Sequence, residues 1–527
     1  MKQGIRNSMI WLHTWSSLIL GWLLFAVFLT GTIAYFHVEV SHWMKPERHA
    51  SAPSDDSLQV GLDYLLATAP NAKNWEVEVP DARNRTLGLS WENYNEERQR
   101  RRGPRQIVDA TTGEAIDERE TRGGGFLYRF HFELHHLPRR TAFTIVGIAS
   151  MMMFVGLITG IFTRRKLFAH FFTFRPKRNL MSWIDAHVVT GLMALPFHIM
   201  ITLSGLMLFA NTLLILNTDD GDRRGRFGGN ERGEQVQPHS TLPPSSWTPD
   251  IAAMRAEAER RWQSPIAELQ IEKPLSSEAT FRFSPQDQRV LTAGRGGRPE
   301  IAFDYHGNVI EEAPAGLAAS GIQAGYSSLR QLHEAHFADT VTRWLFFFAG
   351  VLGTFMCASG SILWVVKRRR KQHGQAGFEL VNALNVGGLA GLMCAVGAYF
   401  WANRLLPANM SGRLDWEIHV FFAVWALCMV HAVFFRHHKG WVTQLSLGGF
   451  LFAAIPVLDA LTSPVSLWQA LMIGDWLRLG FDGICLLFGG SLFVAVYYLA
   501  LKDKVGSFSL ANLKKALAPR KEEEACY

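Results

Sequence analysis

Long uninterrupted apolar blocks constrain this chain more than any other feature. A helix needs about 20 largely apolar residues to cross the hydrocarbon core of a bilayer. Eight stretches of the 527-residue sequence meet that need: roughly 9–36, 141–163, 184–213, 343–366, 381–402, 416–435, 445–462 and 475–501. The chain is 48% hydrophobic, with 36 Phe and 17 Trp. Because this content is gathered in blocks, it predicts an all-α membrane bundle of about eight transmembrane helices.

Cytoplasmic loops retain Lys and Arg, so the basic residues beside the blocks set the orientation. Lys2 and Arg6 precede the first block, Arg164, Arg165 and Lys166 follow the second, Lys367 to Lys371 (KRRRK) follow the fourth, and Lys502 and Lys504 follow the eighth. Both termini are expected in the cytoplasm. The predicted parts are a first span (1–36), an outer segment (37–140), two spans with a cytoplasmic loop (141–213), a second outer segment (214–342), a fourth span (343–366), a four-span bundle (367–501) and a cytoplasmic tail (502–527). The outer segments would be periplasmic in a Gram-negative cell. Their arginine runs, RQRRRGPR at 98–105 and GDRRGR at 221–226, do not oppose this, since long loops cross regardless of charge. The net charge of +7 is then mostly a topology signal, and no nucleic-acid partner is expected.

The five cysteines, Cys357, Cys394, Cys428, Cys485 and Cys526, fall in or near the spans or in the tail. The outer segments therefore fold without disulfides. The absence of C-x-x-C-H excludes the usual covalent attachment of c-type haem. The first block lacks a small-residue cleavage site and reads as an uncleaved span.

The two outer segments share an order of elements. LQVGLDYLLATA (58–69) precedes the strand-like NWEVEVP and RTLGLSW and then IVDATTGEAI (107–116); IAAMRAEAERRW (251–262) precedes IAELQIEKP, ATFRFSP and IAFDYHGNVI (301–310). Each run ends in strand, Asp and Gly turn, strand. This predicts two copies of one small α+β domain. The spans repeat too, with Thr30-Gly31 and Ser204-Gly205 in the first and third, Thr159-Gly160 and Ser359-Gly360 in the second and fourth. Small residues of this kind let helix backbones approach closely in lipid. Aligned on these pairs, His13 lies 17 residues before Thr30 and His187 lies 17 before Ser204. A tandem repeat with its pseudo-twofold axis along the membrane normal would set His13 facing His187.

His187 and His198 are 11 residues apart, which on a straight helix returns to within about 20° of one direction and rises about 16 Å. One face of the third span would then carry imidazoles at two depths, as needed to give one axial ligand to each of two stacked haems. Neutral imidazole is a good iron ligand. A single intramembrane histidine is often a hydrogen-bonding residue between helices, but ionisable groups in lipid are functional candidates. The inner pair is expected to be His13 with His187. For the outer site His198 needs a partner, from His131, His135 and His136 in RFHFELHHLP or His333 and His336 in LRQLHEAHF. Those clusters could instead receive metal from an external ligand or sit wet at the interface. His419 and His431, 12 residues apart, do not share a face, and His37, His42, His170, His437 and His438 read as interfacial. MMMF (151–154) and LFFF (345–348) read as packing, and RRRGPR as a solvated stretch or a basic rim for an anionic chelate.

FHFELHHLP, LFAHFFTFRPKRNLMSWIDAHVVTGLMALPFHIMITLSG, RWLFFFAGVLGTFMCASGSILWVVKRR and FWANRLLP resemble the PepSY-associated transmembrane helix family of bacterial inner membranes, and the outer segments resemble PepSY domains. The resemblance covers nearly the whole chain. It implies two non-covalent b-type haems carried by His13, His187, His198 and a histidine of the 131–136 or 333–336 clusters. Within these, the family pattern before the second span matches His135, with His136 an addition, and spacing to Arg343 favours His333 over His336. It also implies an iron-regulated or ferric-siderophore reductase that reduces Fe(III) outside the membrane. Some members carry a fused flavin reductase domain; with no G-x-G-x-x-G and no long cytoplasmic domain, electrons here would come from quinol or a separate cytoplasmic reductase. Expected partners are membrane lipid, a ferric siderophore and a periplasmic iron-binding protein. The rival expectation is a non-redox PepSY membrane protein, either a peptide-responsive regulator or a metal transporter. A transporter calls for carboxylates beside the deep histidines, whereas Asp185 and Asp415 lie at helix ends.

Overall fold

The computed structural model describes residues 3–94, 104–163, 179–213, 242–286, 299–313 and 321–516. The basic runs at 98–103 and 221–226, Arg164 to Lys166, His170 and Cys526 lie outside the described residues. Among the described residues, 7 helices are long and apolar enough to cross a membrane, or up to 8 if one bent pair counts as a span. They are Gly4–Ala34, Arg139–Thr163, the pair Leu180–Met193 and Leu195–Ala210, Thr340–Gln372, Ala376–Leu405, Arg413–Phe434, His438–Thr462 and Trp476–Leu501. The chain is a mostly helical, multi-pass membrane protein.

The bent pair departs from the straight third span that the sequence predicts. Helix α6 (Asn179–Met193) and helix α7 (Leu195–Leu213) meet at a 68° bend. Pro196 causes it: its ring lacks an N–H and clashes with the carbonyl four residues back, so the helix stops before it and restarts with Pro in the first turn. His187 and His198 therefore belong to two helices of different direction, and the single-face ladder does not form.

The first polar segment contributes α2 (His37–Trp43), α3 (Ser57–Thr68), β1 (Asn74–Glu78), β2 (Leu87–Glu92), β3 (Arg105–Val108) and α4 (Gly124–Glu133). The second contributes α8 (Ile251–Trp262), β4 (Ile266–Glu272), β5 (Thr280–Pro285), β6 (Glu300–Phe303), β7 (Val309–Ala313) and α9 (Gly321–Glu334). Alternation places Trp75 and Val77 in the core and Glu76 and Glu78 on the wetter face, as a half-buried strand requires. The strands form one 7-stranded sheet in the order β3-β2-β1-β4-β5-β6-β7. Its central pairing joins the two segments, with Trp75 opposite Ile271 and Val77 opposite Leu269 in antiparallel register. The core is also common to both: Leu62 and Leu65 of α3 and Met254 and Ala258 of α8 belong to one cluster with Trp75, Phe281, Phe283 and Phe303. The sequence predicts two separate domains; the structure merges their sheets. Joining β1 to β4 pairs the backbone groups that each half would otherwise leave at an open edge.

The chain divides into two compact units, Met1–Trp364 with Ser463–Leu479, and Val365–Thr462 with Gly480–Tyr527. The short 463–479 segment is tied into the first unit by buried polar contacts. Asp475 lies 3.0 Å from His42 Nε2, His49 Nδ1 lies 2.9 Å from Ser463 Oγ, and Arg85 donates to the Ile473 carbonyl at 3.0 Å. The second unit comprises α11 (Ala376–Asn385), a π-helical turn at Val386–Ala390, α12 (Gly391–Leu405), α13 (Arg413–Phe434), α14 (His438–Ala453) and α15 (Ile455–Thr462). Its fully buried charges are paired, Arg404 with Asp459 at 2.6 Å and Arg413 with Glu417, which is the condition for keeping ions inside a bundle.

Two facing histidine pairs in the first unit

Four histidines meet in two pairs. His13 of α1 (Gln3–Ala34) and His187 of α6 have ring centroids 6.3 Å apart, with the planes at 69°. His131 of α4 and His333 of α9 have centroids 6.1 Å apart, with the planes at 39°. The second pair rides on the short helices that lead from the polar segments into α5 (Arg139–Thr163) and α10 (Thr340–Gln372).

All four rings are held in one way. His13 Nδ1 lies 2.9 Å from the Gly156 carbonyl and 3.3 Å from Thr159 Oγ1. His187 Nδ1 lies 3.1 Å from both the Met356 carbonyl and Ser359 Oγ. His131 Nδ1 meets the Val27 carbonyl at 2.6 Å, and His333 Nδ1 meets the Ile201 carbonyl at 3.1 Å and Ser204 Oγ at 3.0 Å. A carbonyl can only accept, so Nδ1 carries the proton each time and a neutral ring keeps its lone pair on Nε2. Metal-ligating histidines are oriented by this same carbonyl contact. His131 and His333 lie outside the spans. There burial lowers the basicity of His131, and burial, reinforced by the neighbouring His131, pushes His333 down to about 4.

The Thr-Gly and Ser-Gly pairs, read from sequence as helix contact points, are the seats of these rings. A Cβ at Gly160 would lie 3.4 Å from His13 Cε1, one at Gly360 3.4 Å from His187 Cε1, one at Gly205 2.8 Å from His333 Cε1, and one at Gly31 2.5 Å from His131 Cε1. Each glycine leaves space for an imidazole, and three of the four neighbouring hydroxyls reach its Nδ1. On α1, His13 and Val27 are 14 residues apart, so the two pairs are separated by about 21 Å along the helix axis.

The spacing fits a metal held between the rings of each pair. Metal–imidazole bonds of about 2.0–2.1 Å, with each ring centre about 1.1 Å behind its nitrogen, set two axial rings about 6.3 Å apart. Two protein donors hold a bare ion poorly but suit an iron whose remaining positions a macrocycle fills. Each pair thus offers two imidazole donors and no third protein ligand among the described residues.

His198 stands apart. It is fully buried, but its nearest aromatic rings are Phe28 and Phe197, with centroids at 6.0 and 5.9 Å. Its Nε2 points to the Ala349 carbonyl at 3.3 Å, so it offers the opposite nitrogen from the paired rings. Ala349 lies seven residues before Met356 on α10, about 10 Å along the axis, which sets His198 between the levels of the two pairs. The expected outer pairing of His198 with His135 or His333 does not form, because the Pro196 bend turns α7 away from the direction of α6. His135 and His136 sit in a left-handed turn, φ 44° and 48°, with their rings against each other. His336 is half exposed and pairs with Glu334 at 3.0 Å. His131 is among the sequence candidates for the outer site, but the family pattern favours His135 over it. Four Thr/Ser-Gly seats call for four rings, and that count was the available signal for it.

No curated protein matches the chain. The family model described as the PepSY-associated TM region matches residues 10–367, which include all four paired histidines and end where the second compact unit begins; the chain belongs to that family.

Proposed function

We propose that His13 with His187, and His131 with His333, hold two b-type haems without covalent attachment. On this reading the protein carries single electrons across a bacterial inner membrane to Fe(III) in ferric siderophores, releasing Fe(II). One observation supports it above the rest: two imidazole pairs with ring centroids 6.3 and 6.1 Å apart, separated by about 21 Å along α1. When bound, haem iron supplies reversible one-electron chemistry that no side chain offers here.

The chain's own residues have three tasks. The paired imidazoles would hold each haem iron with two protein donors, which would favour electron transfer over capture of a small ligand. The carbonyls of Gly156, Met356, Val27 and Ile201 fix the tautomer, leaving the Nε2 lone pair free. Buried Leu24, Ala149, Met153, Leu157 and Met356 fill the space among the spans with apolar atoms and keep water out. The substrate is the chelated ion: oxygen-rich chelators hold hard Fe(III) more tightly than Fe(II), so one electron per iron loosens the complex.

The basic loops put both termini and the His13–His187 side in the cytoplasm, where quinol or a cytoplasmic reductase supplies electrons. The two halves of the first unit are then tandem copies, and their merged sheet is a pair of PepSY-like domains on the periplasmic side, positioning the siderophore or a periplasmic iron-binding partner. A pyridine haemochrome assay on purified protein is expected to give two haems per chain; zero would reject the cofactor. Mixing reduced protein with a ferric siderophore should reoxidise the haem bands. Persistent reduction would reject the reductase role while leaving haem binding intact.

A further inference from the structure

Outside the paired histidines, the described residues hold one cluster with three or more ligand-bearing side chains close enough for a single ion: His373, Glu379 and His437, whose donor atoms all lie within 4.8 Å of one another. It belongs to the second unit and involves no residue of the proposed haem sites. His373 lies in the turn before α11, Glu379 in the first turn of α11, and His437 is the N-cap of α14. The two imidazoles stack, with centroids 5.5 Å apart and planes at 15°, so both rings edge the same carboxylate.

That carboxylate is held by a backbone N–H on one oxygen and by charged groups on the other. The Gly374 N–H donates to Glu379 Oε1 at 3.0 Å. On the other oxygen, Oε2, His437 Nε2 and Arg436 Nε each lie 3.0 Å away, so the carboxylate already gathers two imidazoles and a guanidinium around a buried oxygen. His437 is about half exposed, at 49%, while Glu379 is mostly covered, at 12%. The site is thus reachable from water and anchored at its base.

We infer that His373, Glu379 and His437 form a binding site for a divalent first-row transition ion such as Zn²⁺, with its remaining positions open to water. Two imidazoles and one carboxylate are the borderline-soft set that favours such ions over Mg²⁺ or Ca²⁺. Occupancy bridges the α10–α11 turn to the α13–α14 turn, and the ion takes the place that Arg436 has beside Oε2.

The test is a Zn²⁺ titration of the full-length protein in detergent, followed calorimetrically, with Mg²⁺ as the control ion. The expected result is one Zn²⁺ equivalent that is lost or weakened at least tenfold in His373→Ala/His437→Ala and in the near-isosteric Glu379→Gln. Arg436→Gln should bind more tightly, because it removes the competing cation. Identical isotherms for the wild type and Glu379→Gln, or equal affinity for Mg²⁺, would overturn the assignment. A haem count taken on each variant reads the other two sites separately, so neither result depends on the other.

Discussion

The two histidine pairs use one chemistry and two kinds of mechanics. In the inner pair both rings belong to the spans themselves, and the seats at Gly160 and Gly360 leave 3.4 Å to an added Cβ, an ordinary contact. In the outer pair the rings arrive on α4 and α9, delivered by the polar segments, and the seats at Gly31 and Gly205 leave 2.5 and 2.8 Å, which no real Cβ tolerates. The inner site is a property of helix packing in lipid. The outer site also requires the polar segments to dock tightly on the spans, so its integrity is tied to the merged sheet.

The largest effect should come from removing one ring from each pair. His187→Ala with His333→Ala is expected to abolish haem, and either single change should lower the pyridine haemochrome count from two per chain to one. Retention of two haems by His333→Ala would sink the outer pairing. The next test separates the seats. Gly31→Ala should expel His131 and remove one haem, at an overpacking cost of about 1–3 kcal/mol, whereas Gly160→Ala should keep both; equal losses would erase the distinction drawn here.

A smaller effect is expected where the polar segment meets acid. Burial raises the Glu118 carboxyl, but Arg48 and Lys45 outweigh it and hold the group below its usual 4.5, through ion pairs with both cations. A depressed carboxylate adds stability above its unfolded pKa and loses it as pH falls through the folded value. Glu118→Gln should therefore unfold at a lower temperature than wild type at pH 7, by about 1 kcal/mol at most, and the gap should close below about pH 4.5. A gap independent of pH would reject the linkage. The smallest effect belongs to His135→Ala and His198→Gln, which should leave two haems per chain, since neither ring belongs to the His13–His187 or His131–His333 pair. Loss of a haem in His198→Gln without loss of fold would return His198 to the ligand set.

Much of this architecture was legible because lipid imposes it. A bilayer demands length and apolarity, and the eight blocks supply both, so the spans follow from local composition. The inner pair was legible through a repeat offset of 17 residues. The outer pair was not, for two reasons that lie in particular residues. Pro196 breaks the third span, and an 11-residue spacing means nothing across a 68° bend. His131, His135 and His136 lie within six residues of one another, and only the end of α4, with Leu134 turning left-handed at φ 53°, puts the first against Val27 and the other two in the turn.

By itself the sequence determined which segments lie in lipid, which residues carry imidazoles there, and that small residues recur at four matched places. Tertiary structure alone decided that those places seat rings rather than helices, that β1 pairs with β4, and that His131 rather than His198 faces His333. The physical reason is range. Hydropathy, breakers and periodicity act within one helix or strand, whereas a pair of facing rings is set by where a carbonyl, a glycine and a ring from different segments converge.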